Sequence, residues 1–534
     1  MTGLVRSALR GLAAVVLAAA APAASAATVT ILHVNDTHAH LEATGPKDRN
    51  LDGTVGGLAK AASVVGMLEA TSPNPLFVHA GDLSQGDLYF YAPLGPGGTP
   101  AMGVPELQLL GAMGLDVLTV GNHELVYGAP VLAQVLAAAF PAGGPAVLSA
   151  NVDLAAAGLA GLVRPNVVKE VGGVRVGFFG MTAIDFLSQS TPFLGATPQA
   201  FVEIAQAQVA ELRAQGADAV ICLSHLGLSL DELLAANVQG LDAVVGGHDH
   251  LISPAPLLVT GPGGKGVPVV RAGEFYEWVG KLTLEIEGGE VSLAGYELVP
   301  VDARVPRAPG VAAAVEGLQA AISGLAGEDF WDQPIAFALA AVELEVDPGS
   351  PARDSPVANL VVDALRIRGG TDLGITVDGF LTEGLARGPV VRDDAFRIVG
   401  DGIDPSGAGY GFPLYRIEIT GLNLLVMLET TLALGEDFLV ESSGMRYAFD
   451  SRRPPGSRLV AALVHGRPVD PARTYSATVN HGIIQGLAMI PNVKLAGEPQ
   501  PIGANEYAAV RDWIARLRIL LYFPQGRIVD VAKL

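Results

Sequence analysis

Asp36-x-His38 and His248-x-His250 are two pairs of metal-type side chains, each two residues apart. In an extended segment that spacing turns both side chains the same way. Asp82, Asn122 and His225 bring the set to seven nitrogen and oxygen donors with no sulfur. One ion takes about four to six ligands, so this set points to two ions with a shared bridge. Asp82 is the bridge candidate, since a carboxylate has two oxygens. Mixed imidazole, carboxylate and amide donors suit Zn, Mn or Fe rather than Ca or Mg. The two carboxylates offset half the charge of two divalent ions. The pocket stays positive and can draw a phosphate into a chain whose formal net charge is −21. Such a centre binds phosphoryl oxygens and generates hydroxide near neutral pH.

The donors need elements to hold them. Each cluster follows a short apolar run that reads as a buried strand. Val34-Asn35-Asp36-Thr37-His38 follows a strand from Thr28 to His33, and Gly81-Asp82 follows Leu76 to Ala80. Gly121-Asn122-His123-Glu124 follows Asp116 to Val120, and glycine lets the chain turn there. Ser224-His225 follows Ala219 to Leu223, and Gly246-Gly247-His248-Asp249-His250 follows Leu241 to Val245. In an α/β sheet, the C-terminal edge of the strands is where ligands bind. Helical runs such as Gly57 to Glu69 and Gln199 to Ala214 alternate with the strands, among them Arg175 to Thr182. That alternation predicts an α/β fold. Val269 to Ala272 and Lys281 to Glu287 read as antiparallel additions. His33 and His79 fall inside strands and read as core residues. His40 reads as a neighbour of the site or an exposed residue, and His465 and His481 as ordinary polar positions.

The 534 residues exceed one core, so more than one domain is expected. Residues 1–26 read as a cleavable signal peptide: Arg6 and Arg10, an apolar Gly11 to Ala21, then Ala24-Ser25-Ala26. The apolar run is short for a membrane span and no later run is long enough. The mature chain is therefore expected to be soluble and exported, periplasmic or extracellular. Cys222 is the only cysteine, which excludes an intramolecular disulfide. The acidic balance and lack of basic runs argue against nucleic acid as a partner. Residues 27–300 form the first α/β domain, 301–330 a linker with a helix over Val311 to Leu325, and 331–534 a second, smaller α/β domain. Its elements are a helix from Ala358 to Arg366, a strand from Leu373 to Val377 and a hairpin-like strand from Leu414 to Thr420. Helices from Leu422 to Leu434 and from Asn505 to Leu517 follow, and Pro405 to Gly411 is a loop.

The five strand-end motifs resemble those of the calcineurin-like metallophosphoesterases. Their order and spacing are similar to the 5'-nucleotidase branch, which includes periplasmic UDP-sugar hydrolases. The resemblance implies a sandwich of two sheets flanked by helices, with two metals held by the seven donors. It implies that His123 contacts the phosphate and stabilises the transition state, while water or hydroxide attacks phosphorus and the nucleoside leaves. The second half resembles the family's substrate domain through Asp354-Ser355 and Asn359-Leu360-Val361-Val362-Asp363-Ala364, with Ala358 in place of a glycine. Ser443-Gly444-Met445-Arg446-Tyr447 with Asp450, and Gly526-Arg527-Ile528, also match. In the family this domain binds base and sugar and swings against the metal domain.

Three departures stand out. Val126 occupies the place of an Asp that pairs with the family's catalytic His, so that His123 is oriented by another carboxylate, with Asp87 and Glu124 as candidates, or by none. Thr382 stands where a substrate-binding Arg would be, in Val377-Asp378-Gly379-Phe380-Leu381-Thr382. Ile484-Gln485-Gly486-Leu487-Ala488 replaces a run whose aromatic would stack the base. The expected function is a two-metal phosphoric ester hydrolase acting on nucleotides, with base- and sugar-binding residues unassigned. The alternatives are a cyclic nucleotide, a nucleotide sugar or another small phosphate ester as substrate, or a non-catalytic protein that keeps the metals as structure.

Overall fold

Ile31 and Leu32 are adjacent in one strand and both are wholly buried, yet they belong to different cores. Successive side chains of a strand leave opposite faces of its sheet. Val29, Ile31, Leu76, Val78 and Val117 meet Val176, Phe178, Ile221, Leu223 and Val245 of a second sheet in one cluster. Leu32, Val34, Phe77 and Leu118 face the other way, onto Leu58, Val64 and Val65 of the helix Leu58–Thr71. Beyond the second sheet, Phe179, Cys222 and Val244 pack on Phe201, Ala205 and Val209 of the helix Pro198–Ala214. The layers run helix, sheet, sheet, helix. Strands buried on both faces are written as continuous apolar runs, which is how they were legible. This computed structural model describes residues 26–91, 102–185, 188–327, 329–402, 410–435, 438–490 and 493–534. Apart from Ala26, the expected signal peptide lies outside the described residues, as does most of the loop from Pro405 to Gly411.

The first sheet has the order Glu290–Pro300, Trp278–Glu287, Ala27–Val34, Pro75–His79, Val117–Thr119, Ala146–Leu148. The last four run parallel, and Trp278–Glu287 is antiparallel to Ala27–Val34. The second sheet has the order Leu257–Thr260, Gly266–Val270, Ala243–Gly246, Ala219–His225, Val174–Thr182, Asn166–Val171. Its four inner strands are parallel. The two segments expected as antiparallel additions therefore part company. Gly266–Val270 runs parallel to Ala243–Gly246 in the second sheet, because Leu257–Thr260 intervenes and turns the chain back. Only Trp278–Glu287 is antiparallel to its core neighbour.

The helix Pro309–Ala326 follows, then a five-stranded sheet ordered Val440–Ser443, Leu373–Val377, Thr474–Asn480, Pro413–Thr420, Gln500–Asn505. Pro413–Thr420 is no local hairpin; its partners are Thr474–Asn480 and Gln500–Asn505, both far along the chain. The helices Pro356–Gly369, Gly421–Leu434, His481–Met489 and Glu506–Leu517 belong to this half, with a smaller three-stranded and a four-stranded sheet. Among the described residues no helix is long and apolar enough to cross a membrane.

The two halves share buried material. The cluster that holds Leu32 and Phe77 also holds Val315 and Ile322 of the helix Pro309–Ala326, and Val357, Leu360, Phe396 and Val510 beyond it. Arg397 is almost wholly buried at this junction. Its Nε lies 2.6 Å from Asp87 Oδ2, its Nη2 3.0 Å from Asp393, and its Nη1 donates to Ala43 O at 3.4 Å. Nearby, Gly86 N donates to Gly400 O at 3.3 Å, and a Cβ on Gly400 would stand 2.1 Å from Gly86 O. Arg397→Met would keep the volume and strand two buried carboxylates. Removing one partner of a buried pair costs about 3–5 kcal/mol. Denaturant unfolding should register that loss, and an unmoved midpoint would mean that solvent reaches the junction.

Candidate metal centre

The strand ends do not simply continue past the sheet. Asp36, His38, Asp82, His248 and His250 all have left-handed backbones, with φ of 49°, 46°, 57°, 86° and 53°. The paired donors are thus not in extended segments, contrary to the reading of their spacing. Such conformations cost about 1–3 kcal/mol each and persist only where the surroundings fix them. Here they are fixed by main-chain bonds: Asp36 N donates to Gly81 O at 2.9 Å and His38 N to Asp82 O at 3.1 Å. The residue inside each pair points away. Thr37 Oγ1 donates to Glu106 at 2.8 Å and lies 3.1 Å from His79 Nε2. Asp249 accepts from Leu228 N at 2.6 Å and sits 3.0 Å from buried Arg271, which also pairs with Asp231. Gly121 has no room for a side chain; a Cβ would stand 2.1 Å from Asp82 Oδ1.

Three strand ends of the first sheet and two of the second bring all seven donors and His123 together. Asp36, His38 and His250 form one set whose donor atoms lie within 4.8 Å of one another, and Asp82, His225 and His248 form another. His248 and His250 therefore serve different sets, although their spacing matches that of Asp36 and His38. Asn122 Oδ1 joins the second set, 3.1 Å from His248 Nδ1, and its amide nitrogen donates to Asp185 Oδ2 at 2.7 Å. Asp82 touches both: its Oδ2 is 2.9 Å from His225 Nε2 and 4.0 Å from His38 Nε2. His123 also lies within reach of His38 and Asp82.

Three of the imidazoles have one nitrogen already engaged on the outside. His38 Nδ1 donates to Ser84 O at 3.0 Å, His225 Nδ1 to Ala80 O at 2.7 Å, and His250 Nδ1 to Glu274. Their Nε2 atoms are left to converge inward. His38 Nε2 faces His250 Nε2 at 3.2 Å, where two lone pairs need a shared proton or cation. His225 Nε2 is buried beside Asp82 without the alignment of a hydrogen bond. This donor set fits divalent cations.

Other polar groups brace the centre. Glu124 accepts from the main-chain N–H groups of Gly121, Asp82, Leu83 and Ser84 at 2.7–3.0 Å. It is a clamp on the Asp82 loop and does not orient His123. Asp87 does not either, being paired with Arg397. His123 Nδ1 instead meets Gln85 Oε1 at 2.7 Å. Sequence reasoning missed Gln85, Asp185 and Glu274. The last two follow strand ends, as the predicted donors do, and that position was their available signal. His79, read as core, is buried and accepts from Gly81 N at 3.1 Å. His33 is buried too, and burial lowers its pKa to about 3. His40 is buried, donates to His38 O at 2.9 Å and stacks on Phe275. Thr382 is turned onto the main chain: its hydroxyl donates to Arg397 O and accepts from Gly400 N at 3.4 Å. Ile484 to Ala488 lie in the helix His481–Met489.

Burial alone would lower the pKa of His225, but Asp82 and Asp36 raise it to about 10. His250 keeps 38 % of its side chain exposed, yet adjacent Glu274 overcomes the burial that remains and raises it to about 10 as well. Burial raises Asp36 to about 6 against the pull of His225 and His250. In the ion-free protein both imidazoles are then protonated at neutral pH, and binding a cation must expel those protons. Titrating Zn²⁺ into metal-free protein in buffers of different ionisation enthalpy should reveal net proton release at pH 7. Affinity should weaken as pH falls toward 6, where Asp36 also gains protons. Uptake without proton release would remove His225 and His250 from the ligand set.

Two family models match the chain: calcineurin-like phosphoesterase over residues 29–251, and the 5'-nucleotidase C-terminal domain over residues 339–494. The 5'-nucleotidase of Diplobatis ommata is 26% identical over 544 residues, covering 94% of this chain and 90% of that protein. The 5'-nucleotidase of Mus musculus is 35% identical over 295 residues, 50% of this chain and 48% of its own. The solved 5'-nucleotidase precursor of Thermus thermophilus is 29% identical and superposes with a TM-score of 0.80, covering 94% of this chain and 99% of that one. The site's donor chemistry and these matches over both halves agree: the chain belongs to the 5'-nucleotidase family of calcineurin-like phosphoesterases, metal-dependent hydrolases of phosphoric esters.

Proposed function

We propose that this protein is an exported, two-metal 5'-nucleotidase that releases phosphate from nucleotides. The observation that carries this reading is the pair of donor sets with Asp82 between them and His123 at their side. One ion would be held by Asp36, His38, Asp82 and His250, the other by Asp82, Asn122, His225 and His248. Ions of the Zn, Mn or Fe type held there would polarise the phosphoryl oxygens and lower the pKa of water. The chain's own residues do the rest. Asp185 holds the Asn122 amide so that its oxygen faces the centre, and Glu124 keeps the Asp82 loop from relaxing out of its left-handed turn. His123, with its Nε2 4.0 Å from Asp82 Oδ2, would as the imidazolium donate its Nε2–H to a phosphoryl oxygen as charge builds there. The names of the relatives support nucleotides as substrates, and residues 1–26 support export.

One observation favours a second reading of the substrate. Thr382 occupies the place of a substrate-binding Arg, and its hydroxyl is engaged with the main chain at Arg397 and Gly400. The altered Val377 to Thr382 loop favours another substrate: a cyclic nucleotide, a nucleotide sugar or another small phosphate ester. A phosphate-release screen of the metal-loaded protein distinguishes these. Nucleoside mono-, di- and triphosphates should be the best substrates, and a preference for nucleotide sugars or sugar phosphates would select the second reading.

Two substitutions test the centre itself with p-nitrophenyl phosphate as substrate. Asp82→Asn should lower metal content at both sites and activity by orders of magnitude; full occupancy with near-normal turnover would remove Asp82 as the bridge. His123→Ala should leave the metals bound and lower kcat by about 10²–10⁴-fold. If metal content collapses as well, His123 belongs among the ligands.

A further inference from the structure

Gln85 lies three residues past Asp82, nearly buried, with a left-handed backbone at φ 68°. Its side chain joins the centre to the second half of the protein. One end meets the main-chain carbonyl of Asp401, and the other meets His123 Nδ1. A peptide carbonyl only accepts, so the atom facing Asp401 O is the amide nitrogen. That nitrogen also reaches the Tyr127 hydroxyl at 3.3 Å. Tyr127 lies 3.5 Å from the hydroxyl of Tyr91, which donates to Gly400 O at 2.9 Å. With its nitrogen held on that side, Gln85 presents Oε1 to His123, and an amide oxygen also only accepts. Nδ1 therefore carries a hydrogen, and the ring that also donates from Nε2 is the imidazolium. The other ring nitrogen, Nε2, faces Asp82 and the candidate ligands.

We infer that Gln85 is the positioning residue of His123, with its amide oriented by Asp401 O and Tyr127. A neutral amide thereby takes the role that the resemblance assigns to a carboxylate at position 126. The two carboxylates expected as orienting groups are otherwise engaged, Glu124 with four main-chain N–H groups and Asp87 with Arg397. The geometry also ties the ring to the second half, since the atom that orients Gln85 belongs to residue 401. The inference rests on the role proposed for His123, and its test separates the two.

The protein is loaded with Zn²⁺ and assayed with p-nitrophenyl phosphate as wild type, Gln85→Met, Gln85→Glu, His123→Ala and the double variant Gln85→Met/His123→Ala. Met keeps the volume of Gln and removes both hydrogen bonds. Loss of a residue that orients a site group costs about 10–100-fold, and that drop is expected in kcat with KM and metal content unchanged. Gln85→Glu keeps an acceptor for Nδ1–H and should recover part of the loss. In the His123→Ala background, Gln85→Met should cost nothing further. ¹⁵N spectra of histidine-labelled protein should show His123 Nδ1 protonated and hydrogen-bonded, and Gln85→Met should abolish that signature. A full-sized Gln85→Met loss in the His123→Ala background, or no loss in either, overturns the inference while leaving His123 in place. A wild-type kcat for His123→Ala overturns both.

Discussion

An imidazole can bind an ion with one nitrogen only if the other has been settled, and for His38 and His225 this protein settles the outer nitrogen through its backbone. Ser84 O takes the Nδ1 hydrogen of His38 and Ala80 O that of His225. These acceptors sit on the loop after the strand Pro75–His79 of the first sheet, while His225 comes from the second sheet. His248 N in turn donates to both oxygens of Asp36, from the second sheet to the first, at 3.0 Å. The direction in which each donor faces therefore depends on the two sheets being docked. The apolar cluster between them, Ile31 and Val78 against Phe178 and Ile221 among others, is what holds those bonds in register. Packing and site geometry are one constraint here.

The same constraint accounts for where strain is found. Thirteen described non-glycine residues have a positive φ, and nine of them are Asp36, His38, Ala39, Asp82, Gln85, His248, His250, Phe275 and Tyr276, in or beside the centre. Strain of this kind would relax if the loops were free. Glu124, Thr37 and Asp249 prevent that, each by anchoring a loop from the side facing away from the donors. These braces act on the loops that carry the donors and are not themselves among the donor sets.

Much of this was readable in the chain. Strands buried on both faces, such as Ala219–His225, announce themselves as apolar runs, and a polar cluster at the end of each is a conspicuous break. What was not readable is direction and distance. Gly266–Val270 looks the same whether it runs with or against its neighbour, and Pro413–Thr420 gives no sign that its partners lie far downstream. The Asp-x-His spacing implied a shared side in extended chain, whereas the backbone turns left-handed, and His248 and His250 part toward different sets. A carboxylate is the usual partner of such a ring, whereas the group that meets His123 Nδ1 is the uncharged amide of Gln85, which no charge pattern in the sequence marks. His79 looked like core because it is core, and its bond to Gly81 depends on a turn that no local pattern encodes.

The close approach of Gly86 to Gly400 bears on how this protein can be rebuilt. Their backbones touch with no space for a methyl group between them, at the same seam that Arg397 crosses. A chimaera that joined this first half to another protein's second half would have to bring a glycine at 400, an arginine at 397 and a carbonyl where Asp401 lies. Folds of the same outline would not suffice as donors. The halves behave as a matched set, and grafting is limited by a few main-chain contacts rather than by overall shape.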